Sequence, residues 1–172
     1  MTAFIAVVAR LSRLSGVVAA GLIVAAALVV CQMVFLRYVL NESTVWQTEF
    51  VTYALVAATF VGSPYLLLTR GHVNIDLLPI YLGRRARFAL ALFAAAISLL
   101  FCLVVLWQGV LLWHEALAAG WRSETVWGVR MWIPYLAMPV GMGLLSLQYV
   151  ADILGVVTGR EPPFGIAAGD RP

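Results

Sequence analysis

Residues 15–36 read SGVVAAGLIVAAALVVCQMVFL, an apolar run that contains no charged side chain. A helix needs about 20 such residues to cross the roughly 30 Å hydrocarbon core of a bilayer. Three further runs meet this requirement, at residues 46–68, 88–113 and 131–151, and their only charge is Glu49, near the start of the second run. Because the runs are continuous and do not alternate with polar residues, they predict helices and not barrel strands. The predicted fold class is therefore all-α, an integral membrane protein with four transmembrane helices.

The composition of the whole chain also indicates a membrane protein. Of the 172 residues, 63% are hydrophobic and 11% are charged, whereas globular proteins have about 45–50% and about 25%. A nucleic-acid-binding protein would cluster its basic residues on a polar surface, and this sequence offers no such surface for its net charge of +3. Cys31 and Cys102 lie inside apolar runs, which argues against a secreted disulfide framework. We expect residues 1–157 to form a single membrane domain and residues 158–172 to form a flexible tail.

The first apolar run could also be a cleavable secretory signal, since Arg10 and Arg13 precede it. The run is longer than a typical signal core, and no small-residue cleavage site follows it. We therefore expect an uncleaved first helix.

The distribution of arginines predicts the orientation. With four spans, both termini share a side with the loop at residues 69–87. Eight of the eleven basic residues fall on that side: Arg10, Arg13, Arg70, Arg84, Arg85, Arg87, Arg160 and Arg171. The positive-inside rule therefore places both termini in the cytoplasm. The six tryptophans lie on or near the opposite side, either as an interfacial belt or as a rim where a partner docks.

Small and polar residues inside the runs suggest contacts between helices. Three small-xxx-small pairs suit close helix packing: Gly16 with Ala20, Gly21 with Ala25, and Ala137 with Gly141. Three polar side chains are expected to form interhelical hydrogen bonds: Gln108, Ser146 and Gln148.

The sequence shows no reaction chemistry. His72 and His114 are the only histidines, and the predicted topology places them on opposite sides of the membrane, so they cannot ligate one haem within this chain. No metal-ligand cluster, nucleophile motif or phosphate-binding loop is visible. The inverted repeats of a complete transporter are also missing. We expect no enzymatic activity and no cofactor. Two other roles remain open, an anchor of a redox complex that shares haem ligands between chains and a stand-alone structural membrane protein.

The remaining polar residues gather near the predicted helix ends. Arg37 and Glu49 flank the first turn, where they either pair, within the chain or with a partner subunit, or reach separately to headgroups. Residues 72–82 form either a short interfacial helix or a simple loop. The candidate helix-orienting residues are Arg37, Asn41, Trp46, Glu49, Arg70, His72 and Asp76.

Several motifs, taken in order, resemble the small membrane subunit of tripartite ATP-independent periplasmic (TRAP) transporters, the DctQ-like small permeases. They are Arg37-Tyr38 with Asn41, Trp46-Gln47-Thr48-Glu49, the stretch RGHVNID at residues 70–76, the arginines at 84–87, Trp107 with Gly109, and Ile133-Pro134 through Pro139-Val140-Gly141.

The resemblance implies a role that the residues alone do not. Such a subunit lies in the bacterial inner membrane among its lipids and pairs with a much larger permease subunit that carries the substrate and sodium sites. A periplasmic substrate-binding protein delivers a carboxylate-containing solute to the assembled complex. The small subunit would be a fixed scaffold, and the candidate residues would orient helices or contact the large subunit.

Overall fold

The computed structural model describes residues 2–69 and 84–158, and both segments are predominantly helical. The elements are α1 (Thr2–Val39), α2 (Trp46–Leu68), α3 (Arg84–Ala118), the single turn α4 (Trp132–Tyr135) and α5 (Ala137–Val157). In this part of the chain, four helical stretches are long and apolar enough to cross a membrane: Ala3–Val39, Trp46–Leu68, Phe88–Ala118 and Trp132–Val157. The predicted all-α fold with four membrane-spanning helices is confirmed.

The helices extend further than most of the apolar runs that predict them. Only α2 coincides with its run. α1 and α3 continue past residues 15–36 and 88–113, because arginine is a good helix former and no glycine or proline interrupts the flanking turns. Hydropathy marks where a helix leaves the hydrocarbon, whereas backbone hydrogen bonding decides where the helix ends. The domain end at residue 157 and the cytoplasmic termini stay predictions.

α5 is the central helix of the bundle. It packs on both α2 and α3 and makes a smaller contact with α1, while α1 packs along α2. The buried apolar side chains are mostly small: Val8, Ala19, Ala26, Ala54, Ala58, Cys102, Ala116, Met142 and Ala151. Large apolar side chains point outward instead, as lipid-facing helices require. Close approach of backbones therefore holds the helices together.

The closest approach joins α5 to α2 at Gly141. A Cβ atom built on Gly141 would lie 2.5 Å from the carbonyl carbon of Phe60 and 2.8 Å from its Cβ. Pro64 lies inside α2 and is fully buried. Because proline has no N–H, it cannot donate to the carbonyl four residues earlier, which is that of Phe60. Gly141 thus packs against a carbonyl that has lost its usual helical donor, an arrangement suited to a Cα–H···O contact.

The other small-residue predictions have mixed outcomes. Gly16 lies under the ring of Tyr65, whose Cδ atoms would be 2.8 Å from an added Cβ. Gly62 of α2 faces Ala19 of α1, with 3.1 Å between an added Cβ and the alanine Cβ. The prediction for Gly21 is wrong, because no atom of the described residues lies within 4 Å of its Cβ position. The α1–α2 contact thus uses Gly16 and Ala19.

Candidate functional site

The loop between α3 and α4, residues 119–131, folds into a small hairpin that we call the cap loop. The backbone N–H of Ser123 donates to the Val129 carbonyl at 2.9 Å, and that of Met131 donates to the Trp121 carbonyl at 3.0 Å. An isolated antiparallel bridge forms between these two bonds. The cap loop is therefore an ordered element held by its own backbone.

Two glycines make the reversals of the cap loop possible. Gly120 has φ +63° and Gly128 has φ +58°, in the left-handed region that glycine enters without a Cβ penalty. The N–H of Gly128 donates to the Thr125 carbonyl at 3.0 Å and closes the turn at the tip.

Glu49 joins the cap loop to the first turn of α2. The Ser123 hydroxyl donates to Glu49 Oε1. The same hydroxyl oxygen lies 3.2 Å from Thr125 Oγ1 and accepts from the Thr125 N–H at 3.4 Å. The carboxylate is partly buried, so its hydrogen bond is less exposed to competition from water than a surface contact would be. One side chain at the start of α2 thus positions the loop that follows α3.

Aromatic rings support the same junction. The rings of Trp46 and Trp127 are 6.2 Å apart and tilted by 56°. Trp46 also meets Phe50 edge to face at 6.5 Å. Val126, next to this cluster in the cap loop, is 94% exposed. Trp127 therefore packs the tip of the cap loop against α2, while its neighbour Val126 points outward.

Some buried polar atoms here have no hydrogen-bond partner within residues 2–69 and 84–158. They are Gln47 Oε1, Glu49 Oε2 and, in α3, Trp113 Nε1. An unsatisfied buried acceptor or donor costs about 1–3 kcal/mol. Glu49 therefore uses one carboxylate oxygen inside the chain and leaves the other open.

Arg37 and Asn41, two further candidates near the first turn, lie at the end of α1. Arg37 is exposed in the last turn of α1, where its charge favours the helix dipole. It forms no ion pair with Glu49, whose partner in the described part of the chain is Ser123. Asn41 has φ 52° and ends α1, and the Glu42 N–H then reaches back to the Leu36 carbonyl at 3.2 Å. Asparagine tolerates this left-handed conformation better than most residues do.

The remaining candidate site residues, Arg70, His72 and Asp76, lie outside the described residues, as does the possible interfacial helix at residues 72–82.

A second polar cluster, at the opposite end of the bundle, joins α1 to α5. The Ser12 hydroxyl donates to Gln148 Oε1 at 2.8 Å, and Gln148 Nε2 donates to Asp152 Oδ1 at 2.7 Å. Ser12 and Gln148 are only 1% and 3% exposed. The interhelical prediction is confirmed for Gln148. It is wrong for Ser146, which bonds to the Met142 carbonyl of its own helix.

Sequence reasoning missed Ser123 and Ser12 as partners. Ser123 lies in a loop without periodic pattern, far in sequence from Glu49, so no local signal identifies it. The sequence does carry a signal for Ser12, because Ser12 and Ser15 are three residues apart and therefore share one face of α1. In the structure both serines are buried. Among the described residues, no group of three or more His, Cys, Asp or Glu could hold a metal ion. The arrangement is suited to positioning helices and loops.

Comparison with known proteins identifies the family of the chain. The family model described as the DctQ component of tripartite ATP-independent periplasmic transporters matches residues 26–159. A C4-dicarboxylate TRAP transporter small permease protein DctQ from Vibrio cholerae is 24% identical over 148 residues, covering 74% of this chain and 64% of that protein. The chain thus spans less than two thirds of that relative's length. The resemblance seen in the sequence motifs is confirmed.

Proposed function

Because the chain belongs to the DctQ family of TRAP transporter components, we propose that it is the fixed membrane scaffold of such a transporter. In this role it holds a larger permease subunit during sodium-coupled uptake of a carboxylate-containing solute, which a periplasmic binding protein delivers. The family is one of transporters and not of enzymes. We place the chain in the bacterial inner membrane with both termini in the cytoplasm, as its arginines favour.

The tight helix contacts carry the scaffold proposal. Gly141 of α5 meets the Phe60 backbone of α2, and Gly16 of α1 meets the ring of Tyr65. Packed interiors of this kind resist continuous deformation. The charged side chains of the four spans lie toward the helix ends, outside residues 15–36 and the central parts of the other spans. This distribution favours a rigid frame over a substrate pathway.

Glu49 is the proposed contact to the large subunit. Its Oε2 atom is buried without a hydrogen-bond partner in the described part of the chain, while Ser123 holds Oε1 and fixes the carboxylate. A donor from a partner subunit would satisfy the open oxygen. Trp46, which is 40% exposed beside the cap loop, would widen the same contact. In this proposal the other candidate residues would orient the helix ends: Arg37, Asn41, Arg70, His72 and Asp76.

Copurification with the large permease from native membranes in mild detergent tests the proposal. Hydrogen bonds to charged groups contribute about 1.5–3 kcal/mol, so we expect Glu49→Ala to weaken subunit association roughly 10- to 150-fold. Substrate preference should not change. Glu124→Gln is the matched control, because Glu124 is an exposed acidic residue of the cap loop.

Two results would contradict the proposal. Failure of the unmodified chain to recover a large multi-span partner would remove the scaffold function. A changed substrate preference of Glu49→Ala with intact assembly would instead give Glu49 a role in the substrate path.

A further inference from the structure

A groove opens between α1 and α2 near the end of the bundle that holds Thr69. Its volume is about 590 Å³, within the 300–1,000 Å³ typical of small-molecule sites. Arg13, Gly16 and Ala20 line one wall from α1, and Tyr65 and Leu68 line the other from α2. The lining is mainly apolar, and among the described residues Arg13 supplies its only charge.

The shape of the groove follows from missing side-chain volume on α1. Gly16 and Ala20 are four residues apart and therefore share a helix face. The Tyr65 ring lies directly on Gly16, so α2 comes close to α1 at that level. Ala20, one turn further into the span, is exposed and leaves the groove open. The result is a slot that runs along the helices from Arg13 toward the middle of the span.

The position of Arg13 along α1 sets the depth of the groove. The charge-free run at residues 15–36 begins two residues after Arg13. At 1.5 Å per residue, this run covers about 33 Å, close to the hydrocarbon thickness. Arg13 therefore lies at the level of the lipid headgroups, and Gly16 and Ala20 lie at the level of the acyl chains.

The polar groups at the mouth of the groove are open. In the described segments, neither the Arg13 guanidinium nor the Tyr65 hydroxyl has a hydrogen-bond partner, and no acidic side chain lines the groove. A guanidinium can bind a phosphate through two parallel hydrogen bonds. Basic pockets between transmembrane helices are suited to anionic lipid headgroups. The charge and the apolar slot together fit a ligand with a phosphate at one end and a hydrocarbon chain at the other.

We propose that this groove is a binding site for one phospholipid with an anionic headgroup, whose phosphate contacts Arg13 and whose acyl chain lies beside the Tyr65 ring and along Ala20. The site does not depend on the transport role. The bound lipid would fill the space between α1 and α2 that the small side chain of Ala20 leaves open.

Native mass spectrometry of the purified, delipidated full chain tests this site with added phosphatidylglycerol or phosphatidylcholine. We expect one phosphatidylglycerol to be retained with about a five-fold preference, which corresponds to about 1 kcal/mol for one basic residue near a membrane surface. Arg13→Gln should abolish the preference. Arg10→Gln is the matched control, because Arg10 is also exposed on α1 but does not line the groove. Ala20→Leu should fill the slot and prevent retention of either lipid.

Three results would overturn the assignment. Equal loss of preference in Arg10→Gln and Arg13→Gln would show diffuse attraction. Undiminished retention in Ala20→Leu would place the lipid elsewhere. Failure of the unmodified chain to retain any phospholipid would leave the groove to another occupant, such as a partner helix. Circular dichroism of both groove variants should match the unmodified chain, since Arg13 and Ala20 are exposed.

Discussion

Gly141→Ala is expected to separate α5 from α2. The new Cβ would lie 2.5 Å from the carbonyl carbon of Phe60 and 2.8 Å from its Cβ. Neither atom can swing aside as a flexible side chain would, so the two helices must move apart. Overpacking of this kind costs about 1–3 kcal/mol, and a clash with backbone belongs at the upper end. Alanine recovers at most about 1 kcal/mol of helix propensity. The expected net loss is about 2 kcal/mol, or roughly 30-fold in the ratio of folded to unfolded protein.

The assay is the free energy of unfolding in mixed micelles, followed by far-UV circular dichroism during titration with sodium dodecyl sulfate. Two glycines provide matched controls. A Cβ on Gly143, in the same helix, would make only an ordinary contact of 3.8 Å with Leu106 Cδ1. A Cβ on Gly21 would meet no atom of the described part of the chain within 4 Å. Both controls should be neutral or slightly stabilising. If Gly141→Ala is as stable as Gly143→Ala, the backbone contact between α2 and α5 does not exist.

Three further substitutions test other contacts. Ser12→Ala should lower the free energy of unfolding by about 1 kcal/mol, because Gln148 Oε1 loses a buried donor. Ser15→Ala removes only a hydrogen bond within its own helix and should have a smaller effect in the same titration. Equal effects of the two variants would count against the interhelical bond. Asn41→Val should lower the free energy of unfolding by about 1–2 kcal/mol, because residue 41 has a left-handed backbone conformation. Asn41→Gly should be tolerated, and equal stability of the two variants would refute this reason. Ser123→Ala should speed amide hydrogen exchange in the cap loop, and unchanged exchange would mean that its bond to α2 is not needed.

Hydropathy was sufficient to predict the four helices, because the cost of placing a charge in hydrocarbon is a local property of each segment. It could not predict which small residues form the contacts. Gly21 and Gly141 each belong to a small-xxx-small pair, yet only Gly141 meets another backbone. The difference is the rotation of each helix about its axis, which depends on all its neighbours at once.

The candidate site shows the same limit for polar residues. Glu49 stands out in the sequence because it is the only charge in its apolar run. Its nearest cation along that turn is Arg37, but its hydrogen bond goes to Ser123. At the end of α1, Arg37 can reach water and complement the helix dipole without a partner. A partly buried carboxylate, by contrast, requires a donor, and the cap loop supplies one.

Three helix interfaces in the described part of the chain differ in how they are built. At the α2–α5 interface Gly141 meets backbone, and at the α1–α2 interface Gly62 faces the short side chain of Ala19. α3 packs principally on α5, where Gly109 faces the Cγ and Sδ of Met138 at 3.2 and 3.4 Å from an added Cβ. Methionine is flexible and adapts its shape to its neighbours. At Gly109 the two nearest atoms of α5 thus belong to a deformable side chain, and the backbone nitrogen of Pro139 follows at 3.5 Å from the added Cβ. In the proposed scaffold role, a partner held at Glu49 would load α2, which makes close contacts with both α1 and α5.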